Sequence, residues 1–333
     1  MTKVLFFGEP LIRITPIDYQ SVSNGTLSTL YYGGSEINVA CNLQYLGLPT
    51  KVLTALPKHD LGNRFLDFLK TRSIDTSAIC HIGDRIGTYY TETGFGCRQT
   101  EVFYDRKHTS ICDIKPDILD IDTLLQDVSH FHFSGITIAL GENVRTTLLF
   151  ILKEAKKRGI TISIDLNLRT KLISILDAKK IFSTFAKYAD YCFGIEPLMM
   201  NEKDLTMFDR ENASIAQLQD RMQQLKEIYQ FKTIFHTQRS TDENGQHIYK
   251  AYALGDTFVE STPMKTTILD RIGSGDAFVS GAIYKLVTES NLVDTLNFGA
   301  ASASLKCTIY GDNMTKSVSD IEKILVTHKD IIR

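Results

Sequence analysis

Six short apolar runs, each bounded by Gly, Pro or Asp and alternating with amphipathic stretches, restrict what this chain can fold into more than any other feature. The runs lie at residues 4–8 (VLFFG), 51–56 (KVLTAL), 130–136, 161–166, 191–195 and 233–237, and continuous apolarity over so few residues marks strands buried on both faces. Between and after them, residues 36–46, 61–72, 143–158, 177–187, 214–228, 275–289, 292–307 and 317–327 carry apolar positions at three- and four-residue spacing, as helices laid on a sheet do. Strand and helix in turn predict an α/β chain whose parallel sheet is covered on both faces.

Two stretches break the rhythm. Residues 12–33 and 86–106 are rich in Thr, Tyr, Val and Ile and alternate in polarity, as in TYYTET and TEVFYD, which predicts antiparallel strands. Separated in sequence but alike in character, they are expected to pair into a small sheet that covers a site as a lid. With 333 residues, 43% hydrophobic and 23% charged, the chain suffices for a single large domain, 1–333, bearing that lid.

A formal charge of −2 with no basic block argues against nucleic acid or an anionic membrane as partner and for a small molecule. The six cysteines are scattered without a C-x-x-C pair, so they are expected to be buried and reduced. MTKVLFFGEP enters a strand at once, without room for a signal h-region, and no apolar run is long enough to span a bilayer, which together point to the cytoplasm. The eight histidines form no H-x-x-x-H pair; His130 and His132 are expected in the core or at its edge.

The sharpest motif is Asp270-Arg271-Ile272-Gly273-Ser274-Gly275-Asp276, which runs into a helical pattern. Gly273 and Gly275 let backbone approach a ligand, and the free N–H groups of a first helical turn, with Ser274 between the glycines, make an anion hole. A carboxylate beside such a hole can orient an attacking hydroxyl and accept its proton, the requirement of phosphoryl transfer. Taken alone, G-S-G-D is also a helix-capping pattern. No G-x-x-x-x-G-K-[ST] and no G-x-G-x-x-G after the first strand is present, which excludes the P-loop and the dinucleotide fingerprint.

With Gly33-Gly34-Ser35-Glu36-Ile37-Asn38-Val39-Ala40 early and Gly273-Ser274-Gly275-Asp276 late, the chain resembles the ribokinase-like (PfkB-type) carbohydrate kinases. Tyr104-Asp105-Arg106, Asp165-Leu166-Asn167-Leu168-Arg169, Asp270-Arg271-Ile272-Gly273, Leu305-Lys306-Cys307-Thr308 and Gly311-Asp312 extend the resemblance over nearly the whole chain, toward the 2-keto-3-deoxygluconate kinases. The resemblance implies a ribokinase-like three-layer fold, with a parallel sheet flanked by helices and a small β-sheet lid. It also implies ATP with Mg²⁺ as phosphoryl donor, a sugar or sugar acid as acceptor, and Asp276 as catalytic base. Gly34, Asn38, Tyr90, Tyr104, Arg106, Arg169 and Asp312 are then expected at the sugar, and Asn167, Gly273, Ser274 and Gly275 along the phosphates.

Arg106 and Arg169 favour an acidic sugar, since a guanidinium pairs with a carboxylate through two parallel bonds, although Arg169 can equally serve phosphate. Two segments depart from the family pattern. Residues 237–245 are longer and more polar than the usual glycine turn, so Thr237, Arg239 and Gly245 are either nucleotide contacts or part of an exposed linker. Phe193-Gly194-Ile195-Glu196 stands where relatives carry N-x-x-E, which leaves no named magnesium ligand, and Mg²⁺ is expected on the phosphates and water. A kinase for another sugar, such as fructose or ribose, and a non-catalytic sugar sensor are the competing readings. Exposed lid edges suggest a homo-oligomer.

Overall fold

The apolar runs become neighbouring strands of one sheet. The structure is a computed structural model that describes residues 2–25 and 27–326. Strands β1 (Lys3–Phe7), β2 (Leu11–Pro16), β3 (Ser28–Gly33), β4 (Thr50–Leu56), β5 (Ile79–His81), β6 (Gly87–Glu92) and β7 (Glu101–Asp105) occupy the first third of the chain. β8 (Val128–Ser134), β9 (Thr161–Asp165), β10 (Tyr191–Phe193), β11 (Thr233–Thr241), β12 (His247–Leu254), β13 (Phe258–Glu260) and β14 (Met264–Thr266) follow. Among the described residues the main sheet runs β13-β12-β11-β10-β9-β8-β1-β4-β5, with β14 on β12.

From β5 to β11 every pairing is parallel, as short strands joined by crossover helices require. The β11–β12, β12–β13 and β12–β14 pairings are antiparallel and close one edge. Residues 237–245 are therefore the end of β11 and the turn of a β-hairpin, in register from Ile234↔Leu254 to Thr241↔His247, not a linker.

Period-two alternation divides the core. Leu5 and Phe7 face one side of the sheet with Phe131, Phe133, Ile162 and Ile164, while Val4 and Phe6 face the other with Phe193 and Phe235. Helices Glu142–Lys157, Ile175–Ala186 and Ile215–Tyr229 cover the first face; Ser35–Tyr45, Ser274–Val287 and Leu292–Lys306 cover the second. With Asp60–Lys70 and Val318–Leu325 these match all eight expected helices to within a few residues; residue 327 of the last expected helix lies outside the described residues.

The two Tyr- and Thr-rich stretches form a separate four-stranded sheet in the order β3-β2-β6-β7. The β2–β3 and β6–β7 pairs are antiparallel, but β2 and β6 run parallel, because each hairpin enters the small sheet from the same end of the main one. Of the cysteines, Cys41, Cys192 and Cys307 are buried, Cys80 and Cys112 half-buried and Cys97 exposed; all six are free thiols. His130 and His132 share one face of β8, each 2.7 Å from the Ser163 hydroxyl, and burial lowers their pKa to about 4 and about 3. No helix among the described residues is long and apolar enough to cross a membrane.

Candidate active site

Parallel strands end their carboxyl termini on a common edge, and the residues just beyond that edge converge. Glu9 follows β1, Asn167 and Arg169 follow β9, and the Gly273–Asp276 turn comes up against them at the start of the Ser274–Val287 helix. Gly273 is left-handed (φ 81°), and a Cβ there would overlap the Asp312 carbonyl oxygen. Gly34 (φ 127°) likewise lies flat against the Glu9 carbonyl. Only glycine meets both demands.

Asp276 sits in the first turn of its helix, with 9% of its surface exposed. Asn38 Nδ2 donates to its Oδ2 at 2.7 Å and Ser35 Oγ to its Oδ1 at 3.2 Å. Asn167 Nδ2 in turn donates to Ser35 Oγ at 2.8 Å, so a three-residue relay fixes the carboxylate. Burial raises the Asp276 pKa to about 6, while the Asn38 bond and the Arg169 charge hold it down. Asp165 at the end of β9 is raised to about 7 by burial and by the Asp276 charge.

The anion hole is narrower than its sequence suggests. The Ser274 N–H donates to the Arg271 carbonyl at 3.2 Å, closing a turn, so it is occupied. Among the described residues the Gly275 and Asp276 N–H groups have no acceptor, which leaves them directed outward at the positive end of the helix. At Gly275 the turn opens on a cleft of about 1090 Å³ lined also by Asp165, Asn167, Arg169, Thr237 and Arg239, among others. Arg239 packs its guanidinium 5.5 Å from the Tyr249 ring centre and beside Gly275. Gly245 does not belong here: it is in the β11–β12 turn with open space around it.

On the other side of Asp276, the small sheet presents one face to the site. Register places Tyr31, Arg13, Tyr89 and Tyr104 in a row across β3, β2, β6 and β7. The Tyr89 hydroxyl donates to Asp312 Oδ2. Tyr90, one residue on, pairs with Phe103 and Ile14 on the opposite face, so strand alternation replaces Tyr90 by Tyr89. The buried Asn38 Oδ1 has no partner among the described residues, and it meets Asp312 Oδ2 across Gly33, making a pair of acceptors.

Arg106, 6% exposed, stacks near Tyr104 but is already paired: its Nε donates to Glu9 Oε2 at 2.9 Å and its Nη2 to the same oxygen. Only its remaining edge is open to an incoming carboxylate. Arg169 is exposed, donates to the Leu168 carbonyl at 3.2 Å and is near enough to act electrostatically on Asp165 and Asp276. Glu196 is held by Lys179 (3.0 Å) and Arg221 (2.7 Å) inside a buried cluster with Asp204, so both its oxygens are engaged. The sequence alone places Tyr89, Tyr90 and Tyr104 together on the lid as candidate partners of sugar hydroxyls and takes Tyr90 rather than Tyr89 as the sugar contact; it gives no site role to Glu9, Arg13 or Asp165, and the register of Tyr89 with Tyr104 is what separates the two neighbours.

Residues 1–317 match the family model described as pfkB family carbohydrate kinase. A 2-dehydro-3-deoxygalactonokinase from Haloferax volcanii is 30% identical over 327 residues, 97% of this chain and 96% of that protein. The solved structure of 2-dehydro-3-deoxygluconokinase from Thermotoga maritima superposes with a TM-score of 0.90 at 30% identity, covering 98% of this chain and 100% of that one. A fructokinase from Xylella fastidiosa with bound ATP gives a TM-score of 0.74 at 17% identity, covering 98% and 99%, a likeness of fold.

Proposed function

The chain belongs to the pfkB family of carbohydrate kinases, and on that premise we propose that it transfers the γ-phosphate of ATP to the terminal hydroxyl of 2-keto-3-deoxygluconate. One observation carries this reading: Asp276, fixed by Asn38 and the Asn167–Ser35 relay, stands at a helix start whose Gly275 and Asp276 N–H groups have no acceptor among the described residues and whose Gly275 lines a large cleft. A base with a pKa of about 6 is mostly ionised at neutral pH yet still basic enough to take a hydroxyl proton as the oxygen attacks.

The sugar oxygen forms a bond to γ-phosphorus while the bond to the β-phosphate bridging oxygen breaks, ADP leaves, and the proton passes to Asp276. The Gly275 and Asp276 amides and the Arg239 guanidinium receive the charge that develops on phosphate oxygens. Asn38, Asp312, Tyr89, Tyr104 and Gly34 line the acceptor pocket, where Asn38 Oδ1 and Asp312 accept from sugar hydroxyls. Arg169, with the open edge of Arg106, takes the carboxylate. The small sheet covers the acceptor and excludes water as a competing acceptor.

When bound with ATP, Mg²⁺ would supply charge neutralisation on the phosphates. Glu196 does not fit as its ligand, being held by two cations, whereas Asp165 on the cleft wall would hold it through water. A cytosolic setting accords with ATP as donor. Relatives named for 3-deoxy-2-keto sugar acids support the substrate class.

Incubating the protein with Mg²⁺ and ATP against 2-keto-3-deoxygluconate, its galactonate epimer, fructose and ribose tests the assignment by mass spectrometry of the products. Phosphorylated sugar acid is expected. A phosphorylated neutral sugar with no phosphorylated acid would refute it.

A further inference from the structure

Arg13 is 1% exposed, yet it lies on the small sheet with its guanidinium directed away from that sheet toward residues more than 250 positions later in the chain. Its two terminal nitrogens donate to Asp270 at 3.2 and 2.6 Å, and its Nε lies 3.0 Å from Asp312 Oδ1. The Tyr31 ring stacks 4.3 Å from the guanidinium carbon and fixes its plane. Tyr89, beside Arg13 in the cross-strand row, donates to the other oxygen of the same Asp312 carboxylate.

Asp270 is a hub for the turn that carries the free amides. Its Oδ1 accepts from the Ile272 N–H at 3.0 Å and its Oδ2 from the Gly311 N–H at 3.1 Å, and Lys306 Nζ donates to its carbonyl at 3.1 Å. The Asp312 carbonyl lies directly against Gly273. One guanidinium thus bridges the small sheet to both chain segments that shape the Gly273–Asp276 turn.

We propose that Arg13 is a positioning residue for phosphoryl transfer, locking the sugar-facing side of the small sheet in register with the Asp276 turn through Asp270 and Asp312. It rests on the kinase reading above and adds the part that joins acceptor pocket to phosphate site. A buried guanidinium with two carboxylates is costly to form alone but far costlier to leave half-paired, so the closed register, which brings Arg13 against both Asp270 and Asp312, is favoured over one that parts them. Two planar bonds to Asp270 fix direction as well as distance, which an ammonium does not reproduce.

The test compares Arg13→Met, Arg13→Lys and Asp270→Asn in the full chain, with whichever sugar acid the wild type phosphorylates. Arg13→Met should raise the sugar KM and lower kcat, each about tenfold or more, while the ATP KM stays within about threefold. Arg13→Lys should recover part of the loss. Asp270→Asn should show the same split, and the double variant Arg13→Met/Asp270→Asn should be no worse than the poorer single, because both cut one link.

A purely structural arginine would lower the melting temperature and leave both KM values unchanged, and that result would overturn the proposal. If Arg13→Met does not fold, Arg13→Lys and Asp270→Asn carry the same split. A wild type that phosphorylates no sugar acid would sink the substrate assignment separately. Hydrogen exchange then decides on Arg13: in Arg13→Lys, amides of residues 87–92 should exchange faster relative to residues 161–165, and unchanged exchange would refute the lock.

Discussion

Asn38 donates its amide to Asp276 at 2.7 Å, and this bond acts against the burial that raises the Asp276 pKa to about 6. Removing the donor removes a stabiliser of the ionised form.

In Asn38→Leu the Asp276 pKa is expected to rise further. A general base works when ionised, so activity is lost as pH falls through its pKa. The acidic limb of the kcat/KM profile, expected near pH 6 in the wild type from the Asp276 pKa of about 6, should therefore move to higher pH, as rates measured between about pH 5 and 8 would reveal. An unmoved limb would remove Asp276 as the titrating base.

Asp165 supplies a stability prediction. Its folded pKa, raised from 3.8 to about 7 by burial and by Asp276, means that stability is fully present below the unfolded value and declines as pH rises through about 7. Asp165→Asn keeps an acceptor for the Asn167 N–H at 3.1 Å but never ionises. Its melting temperature without magnesium should exceed the wild type's at about pH 8, and the two should converge toward about pH 4. A difference that does not change with pH would contradict the burial argument.

Tyr89 and Tyr90 separate the two faces of the small sheet. Tyr89→Phe deprives the buried Asp312 carboxylate of a donor, which at about 1.5–3 kcal/mol for a bond to a charged group corresponds to a sugar KM roughly tenfold or more higher. Tyr90→Phe, on the opposite face, should leave kcat and KM within about twofold. The reverse ranking in steady-state kinetics would place the acceptor on the other side.

Gly273 and Gly245 share a left-handed backbone, at φ 81° and 74°, but not an environment. Gly273→Ala forces a methyl into the Asp312 carbonyl and displaces the free amides, so kcat should fall about 10²-fold or more, the loss expected for an oxyanion donor. Gly245→Ala has open space and should cost only the left-handed backbone strain, about 1–2 kcal/mol of stability, with the ATP KM unchanged. An ATP KM that rises for Gly245→Ala would return that turn to the nucleotide site.

How much of this was legible depends on how local the cause is. The parallel sheet follows from runs such as TISIDL, and the Asp276 turn from glycines that only a tight approach requires. β12 went unread because HIYKAYAL follows a polar turn, and its strand character lies in an alternation easily assigned to a loop. Tyr90 stood in for Tyr89 because a one-residue choice of register reverses every side chain, and pairing partners rather than composition fix register. Arg106 reads as a free cation until Glu9, nearly a hundred residues earlier, is brought beside it. Arg13, in LIRITP, reads as a solvent-facing strand residue, and only the fold turns it toward Asp270 and Asp312.

Turnover of Asp276→Asn with Mg²⁺, ATP and 2-keto-3-deoxygluconate bears most directly on the role given to this carboxylate, with sugar binding followed in parallel by calorimetry. The expected result is a kcat lower by about 10²- to 10⁴-fold with sugar affinity nearly retained. A kcat within about tenfold of the wild type would contradict it.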